Sequence, residues 1–285
     1  MSPDEETRYS RQILVPGFGE DGQRRLRQAS VLIVGLGGLG SPVAMYLAAA
    51  GVGRLLLADF DAVDLSNLQR QILHSSERIG WTKVDSAVAA LSALNPHVEL
   101  LPIKRSLSPA RLAELSAEVD LIVDASDNFQ TRYAVNAACV QAGIPLVSGA
   151  AIRAEGQLAV FSGRPGDPCY QCLYPDDGQA GERCEREGVL APLVGIIGSL
   201  QATEAIKILA GYGTPLFSTF LLLDARSMAI RTLGIPPDPA CPVCGGGHIG
   251  SRDAGAKDSK TTASEAIGEH RSDGDESATA SVDSS

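Results

Sequence analysis

The sequence predicts an α/β protein whose mainly parallel sheet is flanked by helices and followed by a C-terminal mixed or antiparallel strand region. Three observations carry that prediction. From Ser30 onward, short apolar runs alternate with longer segments of helical period, the pattern of βαβ units whose strands are covered on both faces. Between the first run and the first helix lies Gly35-Leu36-Gly37-Gly38-Leu39-Gly40, the context in which a glycine-rich turn becomes informative and the fold Rossmann-like. Two Cys-x-x-Cys pairs bracket the C-terminal strand region.

Each element follows from local pattern. Ser30 to Val34 reads as a buried strand, Ser41 to Gly51 as a helix and Arg54 to Phe60 as the next strand, which together make one βαβ unit. The alternation continues with a helix from Trp81 to Leu94, a strand from Val98 to Ile103, a helix from Pro109 to Val119 and a strand from Leu121 to Val123. Asn128 to Ala142 reads as a helix stopped by Gly143, with Pro145-Leu146-Val147 as the strand beyond it. At Gln157 to Phe161 the pattern shifts to short strands. Asp176 to Gly188 is polar and reads as a mobile surface segment. Leu193 to Leu209 regains helical period, and Phe217 to Asp224 with Met228 to Leu233 forms a terminal strand pair.

Composition limits the functions available. The 285 residues are 44% hydrophobic, enough for a sizeable core, which is placed in residues 1–248. Residues 249–285 hold few large aliphatics and no aromatic, so this acidic polar segment is expected to be disordered. A formal charge of -10 disfavours general binding to nucleic acid or anionic membrane. The N-terminus shows no basic start leading into an apolar core, so a cytoplasmic location is expected. Apolar stretches such as Leu190 to Leu200 contain Pro and Gly and fall short of the roughly 20 residues a spanning helix requires.

The glycines of the turn permit close approach of a phosphate, and Asp59 at the end of the next strand suits ribose hydroxyls. Just beyond lies Ser66-Asn67-Leu68-Gln69-Arg70-Gln71. An enzyme that only holds a dinucleotide has no general need for this cluster. Arg70 offers a planar fork and Lys83 a compact charge to a phosphate undergoing substitution, although both also fit an ordinary solvated surface. Asp127, in Asp124-Ala125-Ser126-Asp127-Asn128, follows a parallel strand and suits Mg²⁺ held partly by substrate phosphates. The same stretch suits a helix N-cap, and Asp127 and Asn128 can divide the two roles.

Cys169, Cys172, Cys241 and Cys244 match the tetrahedral thiolate set of a structural zinc, with two redox dithiols as the alternative. Four thiolates leave no open position, so such a metal clamps the chain and takes no part in catalysis. Cys184 stands beside Arg183 and between two glutamates that oppose thiolate formation, and Cys139 lies on an apolar helix face. His74, His97, His248 and His270 show no metal or triad spacing.

Arg8-Tyr9-Ser10-Arg11-Gln12, the glycine turn, Asp59-Phe60-Asp61, Ser66 to Gln71, Lys83, Ser126-Asp127-Asn128 and both Cys pairs together resemble the E1-like MoeB/ThiF adenylyltransferases. Ser148 to Arg153 and Ala191 to Gly195 extend the resemblance, which spans Arg8 to about Gly246. It implies ATP- and Mg²⁺-dependent adenylation of the C-terminal glycine of a small ubiquitin-like sulfur-carrier protein ending in Gly-Gly, with release of pyrophosphate. By matching positions, Gly38 lines the nucleotide and Asp59 holds ribose. Ser66, Asn67, Leu68, Gln69, Arg70, Lys83, Asp127 and Asn128 complete the ATP site, Asp127 holds Mg²⁺, and Arg11 reaches the partner's site in a homodimer. The four cysteines match the family's zinc ligands.

Cys184 inherits two readings from the family, a covalent link to the carrier or no required role. Gly149-Ala150-Ala151 and Gly211-Tyr212-Gly213 resemble the molybdopterin-synthase activating branch, which is favoured. Tyr174-Pro175-Asp176 and Glu182-Arg183-Cys184 resemble the thiamine branch. Sulfur is expected from a separate donor, a cysteine desulfurase or a rhodanese. An NAD(P)-dependent oxidoreductase and a non-catalytic scaffold for ubiquitin-like proteins are the competing readings.

Overall fold

The computed structural model describes residues 2–176 and 188–245. Eight strands form one sheet in the order β3-β2-β1-β4-β5-β6-β7-β8. The first five, β1 (Ser30–Val34), β2 (Arg54–Ala58), β3 (Glu99–Ile103), β4 (Leu121–Asp124) and β5 (Leu146–Ile152), run parallel. Three antiparallel strands extend the sheet: β6 (Glu155–Phe161), β7 (Thr219–Asp224) and β8 (Ala229–Gly234).

The apolar runs are explained by what covers them. On one face Val31, Ile33, Leu55, Leu57 and Val123 pack against Val43 and Leu47 of α3 (Gly40–Ala50) and Leu193 and Ile197 of α8 (Ala191–Ala210). On the other, Leu32, Val34, Leu56 and Ile122 meet Leu112 and Leu115 of α5 (Pro109–Ser116) and Val135 and Ala138 of α6 (Phe129–Ala142). Alternate side chains of each strand therefore enter different cores, which is why the strands read as continuous apolar runs. At α8, however, the sequence reading falls short. This helix has 20 residues and is apolar enough by composition to cross a membrane, yet it packs on the sheet beside α3.

Helix ends follow local chemistry. Thr82 caps α4 (Lys83–Leu94), and the carboxamide oxygen of Asn128 caps α6 by accepting from Thr131 N at 2.9 Å. Gly51 and Gly143 end α3 and α6 in the left-handed conformation. Two helices were not anticipated, α1 (Pro3–Ile13) and α2 (Gly19–Gln28), although Ser2 and Glu5 form a capping box at the start of α1. Tyr9 of α1 is buried, and its hydroxyl accepts from Asn95 Nδ2 at 2.8 Å. Strand β2 stops at Ala58, two residues before the expected Phe60, whose ring is exposed. The short α7 (Tyr170–Leu173) lies inside the first Cys pair. The expected mobile segment at 176–188, Cys184 within it, and the expected tail at 249–285 fall outside the described residues except at Asp176 and Gly188.

Candidate functional site

The carboxyl ends of β1, β2 and β4 meet where the strand order reverses direction, the place at which open α/β sheets bind ligands. The glycine turn leaves β1 here. Gly35 has φ +94°, and a Cβ on it would lie 2.7 Å from the carbonyl oxygen of Ala125, so only glycine fits. No side chain caps the start of α3, which leaves its first N–H groups suited to an anion.

Asp59 stands beside this turn for a reason visible in its hydrogen bonds. One carboxylate oxygen accepts from Leu36 N and the other from Asp61 N, both at 2.8 Å. The acidic side chain thus fixes both the turn and the chain leaving β2. Asp64 then caps a single 3-10 turn, Leu65–Asn67, accepting from the N–H and hydroxyl of Ser66, which hold its carboxyl below the usual range. The polar cluster, Leu68 and Gln69 included, occupies this turn and the chain just after it. Arg70 donates to the carbonyl of Ser66 at 3.1 Å and has no carboxylate partner among the described residues. Lys83, the first residue of α4, is buried, and its Nζ lies 2.7 Å from Asp61 Oδ2. Asp61 is therefore the counter-ion of Lys83.

On the β4 side, Asp124 is buried and accepts from the hydroxyls of Ser126 at 2.6 Å and Ser148 at 2.9 Å. Arg132 Nη2 donates to the carbonyl of Ser126 at 2.8 Å. These contacts hold the loop that presents Asp127, which is exposed and has no hydrogen bond or ion pair to another described residue. Such a carboxylate suits a magnesium ion that takes its other ligands from phosphates and water. Arg11 is exposed on α1, and no hydrogen bond or ion pair joins it to Asp59, Arg70, Lys83 or Asp127.

One contributor, His74, lies outside every motif of the sequence, and two more, Gln71 and Asp124, stand at the ends of motifs whose other residues carry the reading. His74 was assigned no chemistry, yet it is buried beneath the turn, with Nε2 3.0 Å from the carbonyl of Leu36 and Nδ1 2.9 Å from Ser86 Oγ. Burial, aided by the Lys83 charge, pushes its pKa below the ordinary 6.5. The neutral ring therefore donates through Nε2 to Leu36 and accepts at Nδ1 from Ser86. Gln71 lies buried beside Gly37, and Asp124 supports the β4 loop from within the core. The link from His74 to Leu36 spans 38 positions, so spacing carries no signal of it.

Away from this site the four cysteines converge. All four Sγ atoms lie within 4.8 Å of one another, with Cys169 to Cys241 at 3.7 Å and Cys172 to Cys244 at 3.3 Å. Tetrahedral zinc thiolates place sulfurs about 3.8 Å apart, so the set fits that ion. Burial works to raise the thiol of Cys241, but N–H groups of Cys244 and Val243 outweigh it and bring it down to about 7. Asn136 Nδ2 lies 3.5 Å from Cys169 Sγ, orienting the thiolate from α6.

Comparison with known proteins places this arrangement. Residues 9–243 match the ThiF family. The chain belongs to that family. Among ThiF relatives, the molybdopterin-synthase adenylyltransferase of Escherichia coli (strain K12) is 51% identical over 245 residues, covering 86% of this chain and 98% of its own length. The sulfur carrier protein ThiS adenylyltransferase of the same strain is 44% identical, covering 87% of this chain and 98% of its own. A crystal structure of Escherichia coli MccB with ATP shares the fold at a TM-score of 0.74 and 25% identity, covering 86% of this chain and 75% of that one.

Proposed function

We propose that this ThiF-family chain uses ATP to adenylate the C-terminal glycine carboxylate of a small sulfur-carrier protein, releasing pyrophosphate. The observation that carries the reading is the gathering of Arg70, Lys83 and Asp127 around an uncapped glycine turn at the sheet's switch point. The two adenylyltransferases, each covered almost end to end, support the same reaction class. A nicotinamide site has no general need for the Asn, Gln and Arg cluster just beyond its ribose-binding strand.

The residues divide the work. Gly38 and the turn receive phosphate, Asp59 holds ribose, and Ser66, Asn67, Leu68, Gln69 and Asn128 complete the wall around the nucleotide. A terminal carboxylate with pKa near 3.5 is already ionised at neutral pH, so its attack on the α-phosphate needs no general base. Arg70 and Lys83 neutralise charge growing on the phosphate oxygens. Asp127 would hold Mg²⁺, which supplies further charge neutralisation when bound. Arg11, which no hydrogen bond or ion pair joins to the site residues of its own chain, acts in the site of a second copy. The four-cysteine set holds a structural zinc.

A carrier of the molybdopterin-synthase type is the favoured substrate, with a ThiS-type carrier second. ATP–pyrophosphate exchange against a panel of carriers ending in Gly-Gly tests this. Exchange that depends on one carrier is expected; binding of NAD without carrier-stimulated exchange would overturn the reading.

A further inference from the structure

Among the described residues, three side-chain polar atoms are buried without a hydrogen-bond partner: Ser41 Oγ, Gln71 Oε1 and Gln201 Oε1. Two of these residues adjoin the glycine turn. Ser41 lies in the first turn of α3, and Gln71, only 4% exposed, ends the polar cluster beside Gly37. Natural proteins rarely leave a buried acceptor unmatched, so an orphan beside a candidate site calls for a ligand.

The glycine next to it points the same way. At Gly35, Gly38 and Gly40 the protein itself forbids a side chain: a Cβ would lie 2.7 Å from Ala125 O, 2.9 Å from Val194 Cγ2 and within bonding range of Gly35 O, respectively. Gly37 is different. Its φ is ordinary, and a Cβ there would meet nothing nearer than Gln71 Nε2 at 3.6 Å. No protein atom requires glycine at this position, yet the space is bordered by an amide with an unmatched end. A phosphate approaching the backbone requires that space to be bare.

The backbone that carries the amide is held in place. Gln71 N donates to Asn67 O at 3.0 Å, His74 N donates to Gln71 O at 3.1 Å, and the His74 ring bonds back to Leu36 of the turn.

We propose that Gln71 is a nucleotide ligand. Its Nε2 donates to a phosphate oxygen seated over Gly37, and its Oε1 accepts from a water on that phosphate. This assignment rests on the nucleotide reading of the site and adds a residue whose neutral amide orients the phosphate that Arg70 and Lys83 neutralise.

Gln71→Met keeps length and burial but removes both polar ends, and Gln71→Glu keeps shape while replacing the donor with a negative charge. Each full-length variant is titrated calorimetrically with Mg-ATP and, separately, with adenosine. The Kd for ATP is expected to rise about tenfold in Gln71→Met and further in Gln71→Glu, with adenosine affinity and melting temperature unchanged. If Gln71→Met melts early, the ratio of ATP to adenosine affinity in Gln71→Glu decides. Wild-type ATP affinity in the variants, or equal losses for ATP and adenosine, overturns the assignment alone. A wild-type chain that binds no ATP overturns the nucleotide reading and this assignment with it.

Discussion

His74 shows how much of the site is built by residues that touch no substrate. Its ring joins Leu36 of the glycine turn to Ser86 of α4, and burial favours its neutral form. Because burial lowers the folded-state pKa below the unfolded value of about 6.5, the contribution to stability is complete above that pH and is lost as pH falls through the folded pKa. The melting temperature of the wild type is therefore expected to fall more steeply below pH 6.5 than that of His74→Asn, which cannot titrate. Parallel curves in a pH series of thermal melts would remove His74 from this role. At this scale the sequence was informative where a residue type carries its own meaning, as with Gly35 and Asp59. It was silent where meaning comes from a partner, as with the link of His74 to Leu36, 38 positions away.

At the scale of elements, the four cysteines bring α7 against the segment after β8, and the proposed zinc would clamp the two together. Strand β8 pairs only with β7 and is exposed along its length, so little apolar burial holds it. A metal bridging Cys169 and Cys172 to Cys241 and Cys244 would compensate at this edge. Removing it by chelation, or by Cys241→Ser, is expected to lower the melting temperature by roughly 5–10 °C, with about one zinc per chain lost by metal analysis. A chain that contains no zinc as purified, or that melts unchanged after its loss, would contradict the clamp. The strands β1 to β5 and helices α3 to α6 and α8 were readable because buried strands form continuous apolar runs and Gly or Asn marks helix ends. The end of β2 was not, because the carboxylate of Asp59 takes hydrogen bonds that turn the chain there. Helices α1 and α2 were missed because they are short and mostly polar, with single anchors such as Tyr9.

For the whole molecule, the sheet order brings Gly35, Asp59 and Asp127 from three strands to one edge, which the sequence supported only through the alternation of elements. No hydrogen bond or ion pair joins Arg11 to these residues in its own chain, and its proposed place in the site of a second copy can be tested. Arg11→Ala and Lys83→Ala are each expected to lose about a hundredfold in adenylation rate. Mixed and allowed to exchange subunits, they should recover about a quarter of wild-type activity, since half the dimers would carry one intact site of two. No recovery despite demonstrated exchange would place Arg11 outside the partner's site. The central claim, transfer of an adenylyl group to a carrier, is tested most directly by the intact mass of the carrier after incubation with the protein and Mg-ATP. The account predicts a carrier heavier by one adenylyl group, reversed by pyrophosphate and absent when the terminal glycine is deleted. An unchanged mass for every carrier ending in Gly-Gly, with ATP bound and the protein folded, would contradict it.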